Sequence, residues 1–449
     1  MLGPIPQTES TPPLYYCVAW VWVRIFGYTE APLRSLSALA GVVTVPVAYS
    51  AASKLISARA GLAAAAFTAC NPLLIWYSQE ARSYALLVLL SSVSLLGFAY
   101  ARAEPTPRVL TNWVIACALA LATHYYAVLI VVPEAAMLLA LRRGKRPVEL
   151  AVGVVMLCGL ALIPLALSQN ATGHASWIAP IPLGSRLRQI VPQFLIGLQA
   201  PAQSVLQQLA VASTIIALIL LVLRSDPVGL GGALVAGALA IGGLLLNLLL
   251  IAGGVDDLIT RNVIALWMPA ALLLAGGFGA RRAGVIGIAA AIVLCATGIV
   301  ATIGVDTDRS LQRPDWRAVA RVLGVHPVGA APRAILVQHY RDLLPLSLYL
   351  PGLRSWRDQR PDAVSEFDVV SIRAPRVPLC WWGAACNLSP STMQRSYAIP
   401  GVHELWTRRA FQFTVMRMDS RRPVMLTPKL VAQALTTTTL RHDELLIQH

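Results

Sequence analysis

Within the run NPLLIWYSQEARSY, residues 71–84, an acid and a base, Glu80 and Arg82, stand two positions apart between Tyr77 and Tyr84. A carboxylate can take a proton from a hydroxyl, and a guanidinium can hold an anion through its paired N–H groups. Apolar sequence flanks the run on both sides, so little loop is available to carry these groups. Read as one continuing helix, the run puts Tyr77, Glu80 and Tyr84 on one face and Ser78, Gln79 and Arg82 on the next. Asn71-Pro72 predicts a kink, because proline removes a backbone donor. A hydrated ion pair that merely holds two helices together would have the same local sequence, so both readings stay open here.

The surroundings say where such groups must sit. The 449 residues are 57% hydrophobic and only 13% charged, with a mean hydropathy of +0.65. Soluble chains carry roughly a quarter charged residues, so the composition is that of a membrane protein. The net charge of +15 then marks loops and lipid headgroups, and no nucleic-acid partner is expected. The opening residues lack the basic start and apolar core of a signal peptide, so internal segments are expected to direct insertion. Apolar stretches long enough, or nearly so, to span a bilayer lie near residues 36–52, 60–76, 84–100, 110–123, 126–141, 148–167, 204–223, 229–252, 262–279 and 283–303.

Charge orients these ten segments. Alternate connections hold eleven basic residues: Lys54, Arg59, Arg102, Arg108, the four in RRGKR at 142–146, Arg224, Arg281 and Arg282. The opposite set holds six, so the first set is expected in the cytoplasm and the second outside. Glu80 and Arg82 then stand at the outer mouth of two adjacent spans. Other polar residues gather on that side. TPPLYYCVAWVWVRIFG at 11–27 and the stretch around Arg186 and Arg188 read as interfacial helices. THYY at 123–126 sets His124 at an outer helix end, and GGVDDLITRN at 253–262 sets Asp256, Asp257 and Arg261 in an outer turn. The spans themselves are nearly free of charge, Glu134 being the clear exception. A transporter would be expected to carry charges near the midplane and paired broken helices.

The fold class expected is therefore an all-α polytopic membrane domain, residues 1–303, of about ten spans plus outer interfacial helices, followed by a soluble α/β domain, residues 304–449. In the latter, RPDWRAVARVLG reads as an amphipathic helix, and residues 334–340, 367–372 and 411–418 read as strands. The stretch after about residue 423 is expected to lack fixed structure. No Gly-rich phosphate loop or metal-ligand spacing is evident. Five cysteines lie in apolar segments and read as small buried hydrophobes. Cys380 and Cys386 bracket WWGAA and could close a disulfide outside the cell.

TPPLYY, followed by FGYTEAPLRSLSALAGVVTVPVAY and NPLLIWYSQEARSYALLVLL, resembles the lipid-linked-sugar glycosyltransferases of the C superfamily (GT-C). The likeness is to the branch similar to protein O-mannosyltransferases and lipid A aminoarabinose transferase, the family 39-like enzymes. It covers residues 11 to about 130, and ATHYYAVL and LITRNVIALWMPAALLL extend it more loosely. PDWRAVARVL is similar to part of a C-terminal outer domain of bacterial members. The resemblance implies an inverting transfer of a sugar from a polyprenyl phosphate to a glycan, lipid or protein acceptor on the outer face of the plasma membrane. It implies Arg82 and Arg261, with His124, for the donor phosphate. Glu80 would orient these groups, serve as a catalytic acid or hold a divalent metal, whose requirement is left open. Tyr15, Tyr16, Tyr77, Tyr84 and Asp257 would line the donor or sugar path.

One departure matters. The resemblance implies a span before PPLYY and a loop with an acidic catalytic pair, yet Met1 falls ten residues before TPPLYY. Either the protein starts upstream of Met1, which we expect, or a substitute acid serves: Glu9, then Glu80 or Asp257. An envelope lipid or polymer transporter, and an inactive scaffold relative, stand as alternatives.

Overall fold

The computed structural model describes residues 10–173, 175–176, 178–327, 329–337, 343–356, 360–372, 399–411, 413–434 and 444–449. Glu9, Cys380 and Cys386 lie outside these. The chain divides into two compact units, Met1–Thr307 and Asp308–His449.

Among its described residues the first unit has helices and no strand. Its α-helices in order are α1 (Leu14–Phe26), α2 (Glu30–Leu55), α3 (Ala58–Cys70), α4 (Pro72–Ser78), α5 (Tyr84–Ala103), α6 (Pro107–Thr123), α7 (Val128–Leu141), α8 (Arg146–Ala161), α9 (Ile163–Asn170), α10 (Leu183–Ile196), α11 (Gln203–Arg224), α12 (Pro227–Ala252), α13 (Trp267–Phe278) and α14 (Gly284–Thr307). Short 3-10 turns, Tyr125–Ala127 and Ile264–Leu266, lead into α7 and α13. Each of the ten predicted segments is helical. Among the described residues, six helices are long and apolar enough to cross a membrane, with α8 and α9 taken together as one, and seven if α3 and α4 also count as one bent span. Local chemistry sets the starts: Asn71, Thr106 and Asp226 each accept a backbone N–H at a helix N-terminus, with proline next. Small residues set the spacing. A side chain at Gly243 would run into the Leu129 carbonyl, and one at Gly277 into that of Ala217, so α12 and α7, and α13 and α11, meet backbone to backbone.

The expected kink is present: α3 and α4 bend by 56° at Asn71. The continuing helix through Glu80 is not. Residues 79–83 form a turn between α4 and α5, which releases Glu80 and Arg82 from the helical faces that the spacing suggested. At the opposite helix ends the basic connections are tied together, Arg59 donating to the Arg281 carbonyl and Arg142 to those of Arg102 and Ala103.

Among the described residues the second unit is a six-stranded sheet with three short helices. The elements are α15 (Trp316–Leu323), β1 (Arg333–Val337), α16 (Leu343–Ser347), β2 (Leu353–Ser355), β3 (Asp362–Ile372), β4 (His403–Ala410), β5 (Phe413–Leu426), α17 (Pro428–Ala434) and β6 (Glu444–Gln448). The strand order is β2-β6-β1-β3-β5-β4, with β1 and β3 parallel and the other pairs antiparallel. Ile335, Val337, Val370 and Val415 pack under α15, while Phe367, Val369, Met416 and Met418 face the side with Val431 of α17. The end of the chain departs from expectation. Residues 444–448 form an interior strand, because ELLIQ buries Leu446 and Ile447 in the sheet and Gln448 accepts from Arg333 Nε at 2.9 Å.

Candidate functional site

The turn at residues 79–83 leaves α4 behind Tyr77 and enters α5 at Tyr84, and the two rings still meet, centroids 4.8 Å apart. Tyr84 packs on His124 at 5.6 Å, and His124 on Tyr126 at 5.6 Å. Four rings from the ends of α4, α5, α6 and α7 thus form one row. His124 caps α6 in an extended conformation, and its Nδ1 accepts the Tyr126 backbone N–H at 3.2 Å. With Nδ1 occupied as an acceptor, the ring proton resides on Nε2. Burial, and then the charge of Arg261, hold His124 neutral by pushing its pKa down to about 3.

Beyond Tyr126 the row reaches the connection after α12. The Tyr126 hydroxyl donates to Asp257, whose carboxyl is pushed above its ordinary range by burial first and by the neighbouring Asp256 second. Asp256 is gripped by Arg186 of α10 in a two-point ion pair, 2.6 and 2.9 Å. Arg186 is 3% exposed and also donates to the carbonyls of Ile181 and Leu258. On the near side, Tyr15 of α1 lies within the fields of Glu80 and Arg82, and burial pushes its hydroxyl up to about 12. It shares a hydrogen bond with Ser37 Oγ of α2 at 3.2 Å, and Ser37 Oγ donates to the Arg82 carbonyl at 3.4 Å.

Glu80, Arg82, Tyr15, Tyr77, Tyr84, His124, Arg261 and Asp257 therefore gather along one end of the helices. Tyr16 packs edge-on against Tyr15 and bonds to Thr11 at 3.2 Å, at the margin of the group. Tyr126 and Ser37 complete the arrangement, as does the pairing of Arg186 with Asp256, two residues that the sequence had set on the outer side without joining them. THYY held a signal for Tyr126, whereas nothing local marks a pair 70 residues apart. Among the described residues no group of three or more His, Cys, Asp or Glu is placed to hold a metal ion. Chemically, the arrangement offers two guanidiniums, a neutral imidazole N–H, two carboxylates and a wall of phenol rings, which suits an anionic, hydroxyl-rich ligand.

The helical body carries these polar groups at one end, and a small α/β unit follows it in the chain. Residues 10–167 match the family model described as dolichyl-phosphate-mannose-protein mannosyltransferase. The fold is similar to that of ArnT from Cupriavidus metallidurans, solved bound to undecaprenyl phosphate. That match has a TM-score of 0.55 and 14% identity over 91% of this chain and 88% of that one. The apo state of the same protein matches at a TM-score of 0.54 and 15% identity, over 91% and 87%. No curated protein is significantly similar in sequence. The family match covers residues 10–167, and beyond them the likeness to ArnT is one of fold.

Proposed function

We propose that the protein transfers a sugar from a polyprenyl phosphate to an acceptor hydroxyl on the outer face of the cell membrane, with inversion. The observation that supports this most is the row of four rings joining the Glu80–Arg82 turn to the Asp257–Arg261 turn. The acceptor oxygen attacks the anomeric carbon as the bond to the phosphate oxygen breaks. The phosphate leaves as an anion, and Arg82 and Arg261 receive it, with His124 Nε2–H as a neutral donor. Glu80 takes the acceptor proton or orients the groups that do. Asp257, held by Tyr126, is the second carboxylate able to accept one, its proton affinity raised by burial. Tyr15, Tyr16, Tyr77 and Tyr84 offer ring faces to the sugar. ArnT was solved with undecaprenyl phosphate bound, which supports a carrier of that class here. We assign the unit 308–449 to the outer side of the membrane as well.

The test is transfer of radiolabelled sugar from a polyprenyl phosphate in vesicles carrying the purified protein. Arg82→Ala should reduce it by roughly a hundredfold or more with protein level unchanged. Arg82→Lys should restore only part, since a point charge replaces a two-point fork. Wild-type activity in Arg82→Ala would remove Arg82 from the phosphate role. Glu80→Gln and Asp257→Asn separate the two carboxylates: the base is the one whose loss removes the acid limb of the pH profile.

A further inference from the structure

Glu134 of α7 is fully buried in the middle of a helix that is otherwise apolar, and the site described above does not use it. Its partners come from two other helices. Trp113 Nε1 of α6 donates to Oε2 at 2.9 Å, Cys117 Sγ of α6 stands 3.9 Å from the same oxygen, and Ser94 Oγ of α5 lies 3.3 Å from Oε1. All are completely buried and all are uncharged. Cys158 of α8 is the next titratable neighbour, beyond Cys117. Ser94 has one hydroxyl hydrogen, and the Ser91 carbonyl, 2.9 Å away, can only accept. The contact between Ser94 and Glu134 is therefore best made by a proton on the carboxyl. An ionised carboxylate without a cation would also be costly at this depth.

The three helices that meet at Glu134 carry three of the four stacked rings at their outer ends. Tyr84 begins α5, His124 follows α6, and Tyr126 precedes α7. Ser94, Trp113 and Glu134 lie eight to eleven residues inward from those rings, about 12–17 Å at 1.5 Å per residue. We propose that Glu134 is a positioning residue: a neutral carboxyl that locks α5, α6 and α7 in the one axial register that stacks Tyr84, His124 and Tyr126. Apolar contacts between helices tolerate sliding and rotation, whereas a carboxyl bonded through one oxygen to an indole N–H and through the other to a hydroxyl does not. The proposal rests on the transferase reading only for its effect on activity.

The test uses the full-length protein in detergent, with carbon-13-labelled histidine and the His124 resonance identified by its loss in His124→Asn. In the wild type and in Glu134→Gln, which keeps one donor and one acceptor, the His124 resonance should stay fixed between about pH 5.5 and 7.5. In Glu134→Leu, similar in volume but without hydrogen bonds, the rings should part, water should reach His124, and it should titrate near its ordinary value of about 6.5. A fixed resonance in Glu134→Leu, or titration in Glu134→Gln, would overturn the proposal, since a role in stability alone moves neither. If Glu134→Leu does not fold, Trp113→Phe carries the same test, with titration expected and a fixed resonance overturning. In the transfer assay, Glu134→Leu should lower kcat about tenfold, with donor KM held within about twofold. A wild type that transfers nothing, while the His124 resonances behave as described, would overturn the transferase reading and leave the positioning role standing.

Discussion

At the scale of single residues, His124 shows how a site is tuned by contacts its sequence cannot display. Its Nδ1 is engaged by the Tyr126 N–H, rings cover it on both sides, and Arg261 adds a like charge that opposes protonation. The folded pKa lies at about 3, below the unfolded value of about 6.5. Below pH 6.5 the unfolded chain therefore binds a proton that the folded chain refuses. The stability attached to His124 is fully present above pH 6.5 and is lost as pH falls toward 3, by at most about 1.4 kcal/mol per pH unit. Thermal midpoints of the detergent-solubilised protein should fall over that range, and His124→Asn should flatten the fall. His124 and its neighbours were legible as residue types at helix ends. Their protonation was not, because it depends on burial by helices distant in sequence.

At the scale of elements, the site depends on where helices stop. Asn71 accepts the Leu74 N–H and donates through Nδ2 to the Phe194 carbonyl at 2.8 Å, so the α3–α4 bend is fastened to α10. Proline chemistry made that bend readable. The turn at 79–83 was not readable, because SQEAR contains neither glycine nor proline and has the period of a helix. What ends α4 is tertiary: Ser37 of α2 takes up the Arg82 carbonyl, and Tyr77 and Tyr84 close over each other. The Arg186–Asp256 pair likewise binds α10 to the connection after α12. Asp256→Asn leaves a buried guanidinium short of a countercharge and should cost about 3 kcal/mol. The thermal midpoint in detergent checks it, and an unchanged midpoint would show that the pair is not needed for folding.

At the scale of the whole molecule, two units follow different rules. In the sheet, Arg333 is 1% exposed and donates to Gln448, to the Leu323 and Gly324 carbonyls that end α15, and to Glu366. Arg417 joins it on the Leu323 carbonyl and makes a two-point pair with Asp368. These cations satisfy a helix C-terminus and link it to the last strand. Deleting residues 444–449 removes a strand flanked on both sides and strips Arg333 of Gln448, so the unit 308–449 should unfold, checked by its rapid cleavage under limited proteolysis that spares the intact chain. From sequence alone came the membrane character, the ten helical segments, the change of composition near residue 304 and the collection of chemically able residues at one set of helix ends. Each is written in local hydropathy, charge and proline placement, and so needs no knowledge of neighbours. Only the tertiary structure decided that the helix breaks at Glu80, that Arg186 meets Asp256, that ELLIQ is an interior strand, and that a buried glutamate joins three helices. Those outcomes come from partners far apart along the chain, whose contact energies outweigh the local preferences of a few residues.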